Sequence, residues 1–123
     1  MKIISPQDGI FRKRDDNTEV FYHIFPEFEI HQTEIPSNTI QPWHHHKIIE
    51  EVVCILSGEI EVHWEEGNQK FSQTVKTGDI IRAENTPHTF INTSKNSCKS
   101  IVFRFVPTGI DKREIIKNDK YLD

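Results

Sequence analysis

His44-His45-His46-Lys47-Ile48-Ile49-Glu50-Glu51, running on through Val52-Val53-Cys54-Ile55-Leu56-Ser57 to Gly58, sets three of the chain's seven histidines side by side. Three adjacent imidazoles add nothing to a core. In a strand, however, residues two apart share a face, so His44 and His46 point the same way and can share a metal. Glu51 follows after four intervening residues, on the alternation phase of Val53 and Ile55. Glu50 and His45 fall on opposite phases, which places Glu50 at the surface and His45 toward solvent or a cross-strand partner. The apolar run reads as a strand covered on both faces, and Ser57-Gly58 turns the chain out of it.

Working outward, short strand patterns recur between turn signals. Val20 to Phe25 and Phe28 to Ile35 are dense in aromatic and β-branched residues, the second alternating Phe28 and Ile30 against Glu27, Glu29 and His31. Thr39 to His46 is a further strand, confined to an edge by Pro42. Glu59 to Trp64 alternates strictly and reads as a hairpin partner of Glu51 to Leu56 across Gly58. Lys70 to Val75, Ile80 to Ala83, His88 to Asn92 and Ser100 to Val106 complete about eight or nine strands. Residues 1–19 are polar and turn-rich, with Arg12-Lys13-Arg14 and Asp15-Asp16 as a solvated mixed-charge turn. One short helix is expected around Arg113 to Ile116 in the charged tail. The pattern predicts one antiparallel all-β domain over residues 1–123, with a barrel core at about 20–106.

Bulk properties narrow the function. The chain has 123 residues, 35% hydrophobic and 28% charged, with a net charge of -4. A clustered basic surface is missing, which argues against a nucleic-acid partner. No apolar run approaches the roughly 20 residues of a membrane span, and the first residues do not form a signal peptide, so a cytoplasmic protein is expected. Cys54 in its apolar run reads as a core residue and Cys98 as part of a polar loop, both free thiols. An apolar flank makes Cys54 a poor nucleophile. Gly58, Gly67 and Gly78 are isolated turn glycines that form no phosphate cradle.

A first-row metal takes imidazole and carboxylate ligands from more than one strand. The candidate for a fourth ligand is His88, which opens a strand after Thr86-Pro87 and precedes Asn92 by four residues. His44-x-His46, four residues, Glu51, six residues, Gly58 resembles the first motif of the cupins, and Gly78-Asp79 through Pro87-His88 to Asn92 resembles their second. The resemblance implies a double-stranded β-helix, or jelly roll, holding a metal on His44, His46, Glu51 and His88. This chain departs from the family pattern at Asn38, where a glycine is usual, and at Ala83 and Asn85, where proline and glycine are usual. Gly78 also lies one residue closer to His88 than the family spacing. Asparagine tolerates positive φ best after glycine, so both turns are expected to survive.

With four protein ligands, one or two positions stay open on one divalent transition metal (Fe, Mn, Ni or Zn). The resemblance then implies a small metalloenzyme of the dioxygenase, isomerase or lyase type, working on a small organic molecule. A non-catalytic ligand-binding or sensing cupin is the alternative. The superfamily's metal-independent sugar-nucleotide epimerases do not need this ligand set. Phe90, on the phase of His88, is expected to line the pocket, and Arg82 or Arg104 to meet a substrate carboxylate. His23, His31 and His63 read as structural, Asn92 as a loop anchor and Trp43 as packing. A homodimer formed through the sheets is expected from the resemblance.

Overall fold

The computed structural model describes residues 1–123. After a short 3-10 turn at Pro6–Asp8 come β1 (Ile10–Lys13), β2 (Glu19–Ile24), β3 (Phe28–Ile35), β4 (Thr39–Ile40) and β5 (Glu50–Ser57). Then follow β6 (Glu59–Glu66), β7 (Gln69–Lys76), β8 (Ile80–Arg82), β9 (His88–Asn92), β10 (Cys98–Phe105) and the helix α1 (Arg113–Asn118). They form a six-stranded sheet, β1-β2-β3-β10-β5-β8, facing a four-stranded one, β4-β9-β6-β7, and every pairing is antiparallel. This is the jelly roll expected from the sequence. Its core gathers Ile35, Val53, Ile55, Ile60, Val62, Val75, Phe90 and Cys98 between the sheets.

Several local expectations need correcting. β1 lies inside the segment read as turns; it is an exposed edge strand paired only to β2, so charged side chains cost it little. β5 and β6 are not a hairpin, because β5 pairs with β10 and β8 while β6 pairs with β7 and β9. Gly58 instead carries the chain from one sheet to the other. It sits at φ +80°, and a Cβ there would lie 2.7 Å from the Ser97 carbonyl oxygen. Gly58→Ala should therefore cost at least about 2 kcal/mol, read as a lowered urea midpoint with unchanged slope.

The two cysteines exchange roles. Cys98 is fully buried in the core, whereas Cys54 is half-buried on the outer face of β5. Burial pushes the Cys98 thiol up to about 11. The reading of Asn92 holds: its buried amide donates to the carbonyls of Ile35 (3.0 Å) and Asn96 (2.9 Å) and accepts from the Ser94 amide (3.0 Å) and hydroxyl (2.7 Å). Asn38 and Asn85 adopt φ of 58° and 59°, the positive values expected of them.

Strand alternation decides what faces inward. Across three adjacent strands Glu29, Arg104 and Glu51 stand in one row, with His31, Val102 and Val53 in the next. This polar-containing phase faces the cavity, so the polar face of β3 points inward and Phe28 and Ile30 point out. Burial of His31 (7% exposed) against a half-buried Ile30 fits that direction.

Candidate metal centre

The site is assembled from two distant segments. His44 follows Pro42 after β4 has already ended, so the expected strand through His46 is only two residues long. Proline removes an amide donor and bends the edge. What replaces the strand is one reciprocal backbone pair: His44 N donates to His88 O (3.0 Å) and His88 N to His44 O (2.9 Å). That pair sets the two imidazoles with ring centroids 4.4 Å apart.

The loop before β9 is fastened to the same segment. With its nitrogen facing inward, the Asn85 amide donates to the carbonyls of His46 (2.9 Å) and Ile49 (3.0 Å). Its positive φ is what aims the amide there. The departure from glycine thus keeps the turn and adds a tie between the two halves of the site.

Ring orientation follows from hydrogen bonding. His44 Nδ1 lies 3.1 Å from the Pro42 carbonyl and His88 Nδ1 2.6 Å from the Thr86 carbonyl. A carbonyl only accepts, so each Nδ1 carries the proton and each Nε2 is left with a free lone pair. The Glu51 carboxylate faces two ring nitrogens without a hydrogen bond: His46 Nε2 is 3.2 Å from one oxygen and His88 Nε2 3.8 Å from the other. One potential ligand atom from each of His44, His46 and Glu51 lies within 4.8 Å of the rest. His88 stands beside this trio, with its ring 6.3 Å from that of His46.

Burial makes the cluster costly unless something fills it. His46 Nε2 and His88 Nε2 are both buried and without a hydrogen-bond partner. Orphaned buried nitrogens of this kind cost about 1–3 kcal/mol each. Two such atoms facing a buried carboxylate fit a divalent metal, whose ligands are neutral imidazole and carboxylate. Burial lowers the proton affinity of His44 and His46, leaving them as free bases at neutral pH. Burial also opposes charge on His88 and Glu51, but their mutual contact outweighs it, raising His88 and lowering Glu51.

Arg104 and Glu29 extend the site outward. Arg104 Nε is 3.2 Å from Glu51 and its Nη1 3.6 Å from Glu29, as their shared row on three strands requires. Glu29 also accepts from His31 Nε2 at 2.8 Å, and His31 packs edge-on against Tyr22. His31 is therefore part of the site's polar wall, in addition to being buried. The other arginine named from sequence goes elsewhere. Arg82, its side chain 62% exposed, binds Glu50 at 2.9 Å on the far side of β5.

Glu50 corrects another expectation: it is buried, not a surface carboxylate. Burial pushes its carboxyl up, but Arg82 and the amides of Glu84 (3.0 Å) and Glu51 (2.9 Å) hold it below the usual range. It braces the start of β5, where Glu51 must project inward. His45 is exposed, as its phase implied.

Two cavities meet at this cluster. One, of about 270 Å³, is lined by His44, His46, Glu51, His31, Arg104 and Arg14 among others. The second, of about 310 Å³, lies beyond Glu51 and His88 and is walled by Val62, Trp64 and Val75, with Arg82 at its margin. Phe90 separates them and touches His88 edge-on at 5.5 Å.

A cupin-domain family model matches residues 31–104, well over half of the chain. The chain belongs to the cupin family. All four candidate ligands lie within the matched region. A search of curated proteins found no match. Among solved structures, this cupin resembles iron(II) HppE with 18% identity and a TM-score of 0.68, covering 85% of this chain and 60% of that one. It resembles the cupin domain of Schizosaccharomyces pombe Cnp3 with 18% identity and a TM-score of 0.68, over 89% and 77% of the two chains. An oxalate oxidase matches with 15% identity and a TM-score of 0.69, over 85% and 59%. At these identities the likeness is one of fold. The chain spans about 60% of the length of HppE. No helix of this cupin is long and apolar enough to cross a membrane.

Proposed function

We propose that this cupin holds one divalent transition metal (iron, manganese, nickel or zinc) on His44, His46, Glu51 and His88. We infer from that site a small metalloenzyme of the dioxygenase, isomerase or lyase type, acting on a small organic molecule inside the barrel. The observation that carries this reading is the pair of buried, unpartnered Nε2 atoms of His46 and His88 on either side of Glu51. Fold likeness to iron(II) HppE and to an oxalate oxidase supports it. When bound, the metal supplies Lewis acidity and, for iron or manganese, redox chemistry.

The chain's own residues do the rest. The carbonyls of Pro42 and Thr86 fix the tautomers of His44 and His88, so both rings enter with lone pairs ready. Burial opposes charge on Glu51, but contact with His88, then the charges of His46 and Arg104, hold its carboxyl below the usual range, and Arg104 Nε lies 3.2 Å from it. Phe90 and Val53 give the cavity beside the centre an apolar wall. A volume of about 270 Å³ limits the molecule to a small one.

The test is to add small diketones, phenols and amino or hydroxy acids to the metal-loaded protein. Dioxygen uptake or product formation that disappears on chelation is the expected result. Thermal stabilisation by a ligand without any turnover would replace the enzyme with a binding or sensing cupin.

The outer face of the six-stranded sheet carries Ile30, Phe103, Val52, Ile101 and Leu56 in neighbouring rows. We propose that two copies pair through it, since a face this apolar is best covered. Light scattering should give twice the chain mass, and Phe103→Asp should halve it; a monomeric wild type would contradict this. A reducing cytoplasm suits its two unpaired cysteines.

A further inference from the structure

Arg14 belongs to a segment that the sequence presents as a solvated turn, yet it lines the same cavity as His44, His46 and Glu51. Its backbone is well held. Arg14 N donates to Thr18 O at 2.8 Å, and Asn17 N donates to Arg14 O at 2.9 Å with Asn17 at φ 70°. Thr18 is itself fully buried and receives a hydrogen bond from Gln41, another residue of the cavity wall. Arg14 is thus an exposed arginine of the cavity lining, carried on a hydrogen-bonded turn and close enough for its charge to act on His44.

The three arginines around the centre differ in what they already hold. Arg82 is engaged by Glu50, and Arg104 by Glu51 and Glu29. Arg14 enters no ion pair of the chain. Of the acidic residues that follow it, Asp16 turns a carboxylate oxygen onto the Thr18 amide at 2.9 Å. Arg14 is therefore the cation left over for something that enters.

Charge balance points the same way. Imidazoles that ligate a metal are neutral, so a bound divalent metal together with Arg14 and Arg104 would outweigh Glu29 and Glu51 by two positive charges. A neutral molecule leaves that excess unmatched in a partly desolvated cavity, whereas a dianion cancels it. Tyr22, Thr33 and Ser100 add hydroxyls to the wall of the same cavity.

Resting on the four-ligand metal reading above, we propose that this cavity selects a short dianionic organic acid. One anionic group faces the metal's open side and the other pairs with Arg14, which is the specificity-determining residue. A guanidinium suits that task because its planar fork grips a carboxylate with two hydrogen bonds.

The test is calorimetric binding to the metal-loaded full chain, with two matched pairs of probes. Malate is compared with 2-hydroxybutyrate, and 2-hydroxyglutarate with 2-hydroxypentanoate; each pair differs by replacement of the distal carboxylate with a methyl group. At least one dianion should bind about tenfold more tightly than its monoanionic partner. Arg14→Gln should remove that preference, so that each dianion binds no more tightly than its monoanionic partner, with metal content unchanged, and Arg14→Lys should restore part of it. Full metal content with no dianion preference, or a preference that survives in Arg14→Gln, overturns the proposal alone. A wild-type protein that takes up no metal overturns the metal reading, and this proposal with it.

Discussion

His46→Ala is expected to weaken metal binding by more than about a hundredfold, because loss of a ligand should exceed the 10–100-fold that loss of an outer partner costs. The adjacent His45→Ala should leave affinity unchanged. The contrast rests on geometry: His46 Nε2 lies 3.2 Å from Glu51, buried and unpartnered, while the neighbouring ring is in solvent. Glu51→Gln should behave like His46→Ala, since a neutral amide removes the one carboxylate among the four ligands. The effect also appears as stability. At a metal concentration a thousandfold above its dissociation constant, wild type gains about 4 kcal/mol, which raises the melting temperature on the order of 10 °C. His46→Ala and Glu51→Gln should lose that rise at the same metal concentration, whereas His45→Ala keeps it. Melting curves with metal and with chelator measure both quantities on one sample.

Asn92→Ala should be the most damaging substitution away from the metal, at about 3–5 kcal/mol. The side chain is almost fully buried and joins three backbone groups and one hydroxyl, tying Ile35 at the end of β3 to the loop from Ser94 to Asn96. Alanine removes the donor to the Ile35 carbonyl and the acceptor for the Ser94 amide, leaves the Asn96 carbonyl only its bond from the Ser94 hydroxyl, and opens a cavity as well. That loss is a large part of the 5–15 kcal/mol that a domain of this size commonly has. Asn92→Asp should be no better, because a carboxylate accepts from Ser94 but turns negative charge on two carbonyls. Chemical denaturation measures the cost. Metal affinity at temperatures where the variants stay folded should match wild type, which separates this anchor from the ligand set.

Most of the strands, though not the edge strand β1, and the spacing of the four candidate ligands were legible because they rest on local signals. Alternation, turn residues and the spacing of His44, His46, Glu51 and His88 survive in the fold, and the two asparagines adopt the positive φ that replaces glycine. Alternation fixes the phase of a strand but not its direction. In β3 the polar phase faces the cavity, so Glu29 and His31, which look like a solvated edge, instead build the wall behind Glu51. Nothing within the strand announces inward polarity of this kind. Arg14 was hidden for a similar reason: a charge run looks the same whether its turn lies in solvent or at a cavity mouth.

Long-range pairing was the other blind spot. Gly58 turns the chain as expected, but the strands on either side of it join different sheets, since β10 and β8 compete successfully for β5. Glu50 reads as a surface carboxylate until Arg82, 32 residues away, closes over it. Cys98 reads as loop until β10 begins at that residue and carries it into the core. Each of these depends on a contact that no short window contains.

On the proposed reading, four side chains from two distant segments converge on one metal. Anomalous diffraction from crystals of the metal-loaded protein, collected on either side of that metal's absorption edge, tests it most directly. A single strong anomalous peak bounded by Nε2 of His44, His46 and His88 and by the Glu51 carboxylate is expected. A peak elsewhere, or none between these four groups in a fully loaded protein, would contradict it.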